Sequence, residues 1–496
     1  MPSPDRLTGL DTTFLHLEGD TTHMHVASVL IFEGQAPDHA ELSEHVLGRL
    51  DLVPRYRQRL AHVPLSQGRP VWVDDPHFNP GYHLRHTALP SPGGDEQLKR
   101  LAGRLFAQQL DRTKPLWEIW LVDGLAGGRF ALIGKTHHAL VDGVSGVDIT
   151  TVLFDTAPDG VPAARAAQSW TARPLPSSAQ LLGRALLERA TVPGEVARGA
   201  RALTRAPRQV LGGVRDRLVG LGAMAWAGVN GAPDSPFNVA IGPHRRYTWV
   251  DADLDRFRAI KTALGGTVND AILTAVAGGL GRYLRSQGHN TEDLVLKAMV
   301  PVSVRADVER GALGNRVAAM YAPLPVDVDS PRACFEEIHA SMSGLKESGQ
   351  AVGAQVLTEL AGFAPPTILS QAARLQSRQR FFNVVVTNIP GPQGPLYLLG
   401  RRLTGLYPVV PLAQNQALGI AIMSYAGRLG FGLLADFDAL PGLEALAADL
   451  EEAIDDLAAA ALITPRPRRR RPSSRGPRRG TPRESEPSGA RTPTAR

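Results

Sequence analysis

Along the first 155 residues, apolar runs of strand length alternate with segments whose apolar side chains recur every three or four positions. Ala27–Phe32 and Phe130–Gly134 read as buried strands, while Ala40–Leu52 and Asp95–Leu110 carry the amphipathic helical period. The same texture returns over 245–460. Strands are expected there at Leu294–Val302, Val317–Pro323, Asn383–Thr387 and Leu418–Tyr425, and helices at Val268–Ser286, Pro331–Lys346 and Leu443–Ala460. Between the two stretches the pattern breaks. Pro, Ala and Ser crowd 157–180, and Leu181–Trp226 holds helical patches interrupted by Pro193, Pro207 and Gly212-Gly213. Past residue 463 almost nothing is apolar, and no short internal repeat is visible. The pattern predicts an α/β chain in two halves. An N-terminal domain spans 1–156, a Pro/Ala/Arg-rich helical linker 157–244, a C-terminal domain 245–462 and a disordered tail 463–496.

Composition agrees with a globular body: of 496 residues 43% are hydrophobic and 21% charged. The net charge of +6 and the pI near 9.6 suggest a polyanionic partner until the charges are located. Thr464–Arg496 holds 11 Arg against 2 Glu, and Val161–Met224 holds 10 Arg against Glu188, Glu195 and Asp216. These two segments carry +9 and +7, which leaves about −10 on the rest. The body is acidic, and no element with interleaved aromatics accompanies the tail, so no specific nucleic acid is expected. The linker arginines are either solvated helix faces or contacts to anionic lipid, with Leu218, Leu221, Met224 and Trp226 entering the interface.

One cysteine, Cys334, excludes an intramolecular disulfide and reads as a buried helix residue. The start of the chain shows no secretory pattern. The longest uncharged apolar stretch, Leu218–Val229, is 12 residues, against about 20 for a membrane span. A cytoplasmic protein that touches membranes only from the side is the expectation. His16, His23 and His25, and His83 with His86, lie close in sequence without metal-site spacing, so no metal site is expected.

The chemistry concentrates in Lys135-Thr136-His137-His138-Ala139-Leu140-Val141-Asp142-Gly143. An apolar strand runs into two adjacent histidines, whose side chains at a strand end point in opposite directions and so have different tasks. Asp142-Gly143 supplies a tight turn into a helix expected at Val144–Phe154. The aspartate either fixes a histidine tautomer or pairs with an arginine to hold the loop.

HHALVDG resembles the HHxxxDG signature of the CoA-dependent acyltransferase superfamily. Further blocks narrow the resemblance to the bacterial wax ester synthase/diacylglycerol acyltransferase family. Pro115-Leu116-Trp117 is similar to its PLW motif and Asn269-Asp270 to its ND motif. Leu313-Gly314-Asn315-Arg316 after Pro301–Arg305, Asn388–Pro392, and Leu10–Leu15 followed by His23-Met24-His25 match further blocks, with Ile389 where the family usually has Val. The likeness covers about 7–456.

The resemblance implies two similar α/β domains with mixed sheets flanked by helices, and a channel between them. It implies an enzyme, a diacylglycerol O-acyltransferase or wax ester synthase, that moves a fatty acyl group from acyl-CoA to diacylglycerol or a long-chain alcohol. Acyl-CoA is then a substrate, and no cofactor is expected. A neutral imidazole with an ordinary pKa near 6.5 is able to take the proton of an attacking alcohol at neutral pH. His138, the second histidine of the motif, is assigned as that base, and His137 as structural or a secondary contact within the catalytic pair. Direct attack without an acyl-enzyme follows. Asp142 and Gly143 are read as site-supporting, with Arg57 as the partner of Asp142. Backbone N–H groups near Gly143 or the Asn269 side chain would stabilise the oxyanion. Asp270 is read as structural in the first helical turn, with Thr267 as N-cap. Pro115, Leu116 and Trp117 would line the acceptor or acyl entrance. The rival readings are an HHxxxDG acyltransferase of condensation or polyketide-lipid type, and a non-catalytic lipid-surface protein.

Overall fold

The computed structural model describes residues 6–141, 152–160, 170–187, 231–303, 317–347 and 381–462. Asp142, Gly143, Leu313–Arg316, most of the basic segment 161–224 and the tail 463–496 lie outside them, as does most of the helix expected at Val144–Phe154.

In chain order the strands are β1 (His25–Glu33), β2 (Gln58–Ala61), β3 (Val71–Asp74), β4 (Leu84–Ala88), β5 (Trp117–Leu125), β6 (Arg129–His137) and β7 (Arg245–Asp253). They continue as β8 (Val295–Ser303), β9 (Val317–Pro325), β10 (Val384–Ile389), β11 (Tyr397–Leu398), β12 (Arg401–Val409), β13 (Leu418–Tyr425) and β14 (Arg428–Asp436). The helices that matter here are α1 (Gly9–Leu17), α2 (His39–Leu47), α3 (Asp95–Phe106), α4 (His138–Val141), α5 (Leu254–Leu264), α6 (Val268–Ser286), α7 (Pro331–Glu347) and α8 (Leu443–Leu462). Two six-stranded mixed sheets result, in the orders β11-β12-β1-β6-β5-β4 and β7-β14-β13-β10-β8-β9, with β2 and β3 as a separate ribbon. In the first sheet only β4 and β5 run parallel, and in the second β10 runs parallel to both β8 and β13.

Local sequence starts the helices. Thr8 accepts from the Asp11 N–H at 3.1 Å while Asp11 accepts from the Thr8 N–H, which satisfies two free donors at the start of α1. Thr267 and Asp270 repeat the arrangement at α6. Strands buried on one or both faces then pack α3 from one side and α6, α7 and α8 from the other into a continuous apolar core. Cys334 lies inside α7, its thiol pushed up to about 12 by burial.

β12 is among the strands that the pattern did not reveal, with β2 to β5, β7, β11 and β14. It comes from the C-terminal half of the chain but pairs antiparallel with β1 in the first sheet. It also lies across β14 of the second sheet. A Cβ on Gly432 would sit 1.8 Å from the Pro408 carbonyl oxygen, and one on Gly430 would sit 2.1 Å from that of Leu406. Only glycine permits this approach. Tyr247 of β7 donates to the Tyr407 carbonyl at 3.0 Å, and Trp249 stacks on the Tyr407 ring at 4.8 Å. The two sheets therefore meet in direct backbone and ring contact along β12.

The described part of the segment read as a linker is tied down at both ends. Arg173 binds Asp74 through its backbone N–H and its guanidinium, at 2.9 to 3.0 Å. Asn238 reaches the Phe382 carbonyl, and the Gly242 N–H binds Asp436.

Candidate active site

β6 ends at His137, and His138 opens α4. Thr136, the last residue before the pair, matches Trp117 on β5, while His137 matches His25 on β1. The backbone then leaves the sheet under control. The His137 N–H donates to the Leu116 carbonyl at 2.9 Å, and the His138 N–H to that of Met24 at 2.8 Å. The loop carrying Met24 is held in turn from the second half of the chain, where Arg245 donates to the Thr21 carbonyl.

The two rings have different surroundings. His137 is fully buried, and its Nδ1 accepts the Ala139 N–H at 3.1 Å. Its proton therefore sits on Nε2, which faces Glu18 at 3.7 Å. Burial pushes the Glu18 carboxyl up, but His137 and the Arg112 guanidinium outweigh that and hold it down to about 2. His138 is only half-buried, and its ring stacks on Phe14 of α1 with centroids 4.1 Å apart and planes at 27°.

Behind the histidines, the strand end is braced by the end of a helix. The last carbonyls of α3 and the turn after it point into the protein, where orphan acceptors are costly. Lys135 donates to the Leu105 and Gln108 carbonyls at 3.2 and 2.8 Å, His25 to Phe106 at 3.0 Å and His23 to Ala107 at 3.0 Å. Lys135 and His25 of the β1–β6 pair, with His23 just before β1, thus complete one helix C-terminus, where positive charge is favoured. Burial and the nearby Lys135 hold His25 well below the usual histidine range. Burial and Arg245 do the same, more mildly, for His23. The Lys135 ammonium, itself lowered by burial, also faces Glu118 at 3.6 Å, and Arg85 binds that carboxylate at 3.1 Å.

The remaining sequence-predicted residues fall into three places. Pro115, Leu116 and Trp117 lie in the core of the first half. The Trp117 indole donates to the Tyr56 carbonyl at 2.7 Å and its ring stacks on His83 at 4.6 Å. Leu116 and Trp117 show almost no accessible surface, so the expected entrance lining meets core packing instead, and these side chains brace the β5 register beside the histidines. His83 donates to the Trp117 carbonyl at 2.8 Å, and burial lowers its pKa to about 4. Arg57 is buried, bound to Asp51 and set over the Trp170 ring at 5.4 Å, while its expected partner Asp142 is among the residues not described. Asn269 and Asp270 lie in the second half, in the first turn of α6. Asp270 caps the helix and accepts from His339 of α7 at 2.8 Å, and Asn269 is half-buried beside it. His23 and His25 are helix-end donors, and Glu18, Arg112 and Phe14 are site neighbours that no spacing rule identifies.

Among the described residues, no cluster of His, Cys, Asp or Glu is arranged to hold a metal, and no helix is long and apolar enough to cross a membrane.

Family models match two long stretches of the chain. A family model described as the wax ester synthase/diacylglycerol acyltransferase catalytic domain matches residues 7–272, and one for the C-terminal domain of the same family matches 313–458. A Mycobacterium tuberculosis protein named "Probable diacyglycerol O-acyltransferase tgs2" is 36% identical over 456 residues, covering 90% of this chain and 97% of its own. A solved structure named as a wax ester synthase/diacylglycerol acyltransferase from Marinobacter aquaeolei VT8 is 29% identical, with a TM-score of 0.64 over 92% of this chain and 99% of that one. The first condensation domain of the calcium-dependent antibiotic synthetase superposes with a TM-score of 0.54 over 93% of this chain and 97% of its own. At 17% identity it shares the fold alone.

Proposed function

Because the chain belongs to the wax ester synthase/diacylglycerol acyltransferase family, it is an acyltransferase, and we propose that it esterifies diacylglycerol, and long-chain alcohols as alternative acceptors, from fatty acyl-CoA with His138 as general base. The observation that carries the assignment of the base is the contrast between the two rings. His137 has its lone pair committed to Ala139 and its proton turned to Glu18, whereas His138 lies half-buried just past the strand end.

In the reaction, the acceptor hydroxyl attacks the thioester carbonyl as its proton passes to the His138 imidazole. The C–O bond forms and the carbonyl oxygen becomes an oxyanion. Collapse of the tetrahedral intermediate breaks the C–S bond, and the departing thiolate recovers the proton from the imidazolium as free CoA. No enzyme nucleophile is consumed. Backbone N–H groups near Gly143 or the Asn269 amide would serve the oxyanion. Asp142, with an arginine partner such as Arg57, would hold the loop. Acceptor and product both partition into lipid, which favours peripheral attachment to a membrane or droplet surface.

The test is purified protein with labelled palmitoyl-CoA, offered diacylglycerol and hexadecanol in parallel, with the products separated by chromatography. His138→Ala should lower turnover by about 10²–10⁴-fold with the thermal transition kept. Near-normal turnover in that variant would sink the assignment, and absence of both esters from the unmodified protein would sink the substrate reading.

A further inference from the structure

The His138 backbone N–H is held by the Met24 carbonyl. The ring of Phe14 packs against its imidazole, with centroids 4.1 Å apart and planes at 27°. Phe14 is itself well held. The Thr8–Asp11 capping box fixes the start of α1, and Arg112 clasps its end, donating to the Leu15 carbonyl at 2.8 Å and to Glu18 at 2.7 Å. Glu18 also faces His137 and accepts the Met24 N–H at 3.4 Å. One short segment, Phe14 to Glu18, thus supplies a partner to each histidine of the pair.

We propose that Phe14 is a positioning residue for acyl transfer. Its aromatic face holds the His138 imidazole in the orientation that accepts the hydroxyl proton, and attracts the ring more strongly once it is imidazolium. The proposal rests on the reading of His138 as base. The physical reason is that an aromatic face carries negative electrostatic potential, so it attracts a cation above it more than a neutral ring. The attraction is therefore larger in the transition state than in the ground state, the condition for raising kcat rather than tightening substrate binding. Flat packing alone would make no such distinction.

Phe14→Leu keeps an apolar side chain without a π face, and Phe14→Tyr restores the face. Steady-state kcat and KM for palmitoyl-CoA and for the acceptor, with melting temperature alongside, separate the possibilities. Phe14→Leu should lose about 2- to 30-fold in kcat, with both KM values within about twofold of the unmodified protein. Phe14→Tyr should recover kcat to within about twofold. An unchanged kcat in Phe14→Leu, a loss confined to KM, or an equal loss in Phe14→Tyr would overturn the proposal. If Phe14→Leu does not fold, Phe14→Met takes its place, and failure of both to fold would make Phe14 structural and overturn it too. His138→Ala in the same assay keeps the two readings apart. If that variant is active, the base assignment falls. If it is dead while Phe14→Leu behaves as wild type, only the positioning role falls.

Discussion

Lys135→Met tests whether the buried ammonium is what closes the end of α3 against the strand that carries the histidines. Met replaces the aliphatic stem but donates nothing. The substitution removes bonds to the Leu105 and Gln108 carbonyls and withdraws the cation 3.6 Å from Glu118, at a side chain only 2% exposed. Hydrogen bonds to a charged group contribute about 1.5–3 kcal/mol each, and breaking a buried ion pair costs about 3–5 kcal/mol. Those terms overlap. Arg85 still holds Glu118 at 3.1 Å and the Met side chain recovers apolar burial, so the net loss should be about 3 kcal/mol. Urea unfolding followed by tryptophan fluorescence reads it as a fall in midpoint at unchanged slope. Adding Glu118→Gln to Lys135→Met removes the carboxylate charge and should recover about 1 kcal/mol. A loss below about 0.5 kcal/mol in the single variant would refute the reasoning, because the α3 carbonyls and Glu118 would then be satisfied without the lysine.

Two further outcomes follow from the packing and the buried histidines. Gly432→Ala places a methyl group against the Pro408 carbonyl and should cost about 2–3 kcal/mol by thermal unfolding. Gly183→Ala, where a Cβ meets nothing, should be neutral or slightly stabilising, and equal effects would refute the crossing-strand account. His83, at about 4, and His25, well below its usual range, bind protons more weakly folded than unfolded. Their contribution is complete above the unfolded value near 6.5 and is lost as pH falls from there toward 4, by roughly 3 kcal/mol for His83 alone. A urea midpoint that stays flat from pH 7.5 to 4.5 would contradict this.

Much of this architecture is legible in the periodicity. The long elements with a clean apolar pattern, α3, α6, α7, α8, β1, β6, β8, β9, β10 and β13, occur within a few residues of their expected bounds. Two of the missed strands share a reason. β12 and β14 carry Pro408, Gly430 and Gly432, residues that weaken a strand signal and that stand where one backbone presses on another. The candidate site is legible in the HHALVDG motif, because paired histidines at a strand end are a local pattern. Phe14, Glu18 and Arg112 were not legible as site residues. Their relation to the histidines is made by the fold, across more than a hundred residues for Phe14 and His138. Trp117 shows the opposite limit: a motif residue beside the site is buried, with Tyr56 and His83 packed against it.

The pairing of β12 with β1 also sets an order of events during synthesis. β1 is complete by Glu33, but the strand that covers its outer edge begins at Arg401. At about 5–20 residues per second, the ribosome needs roughly 20 to 70 seconds to supply it. Throughout that time a long apolar edge with unpaired N–H and C=O groups waits in the nascent chain, the kind of edge that recruits other strands. The first sheet cannot be finished by its own half of the chain. The topology that joins the two halves therefore leaves the covering of this edge to one of the last strands to be made.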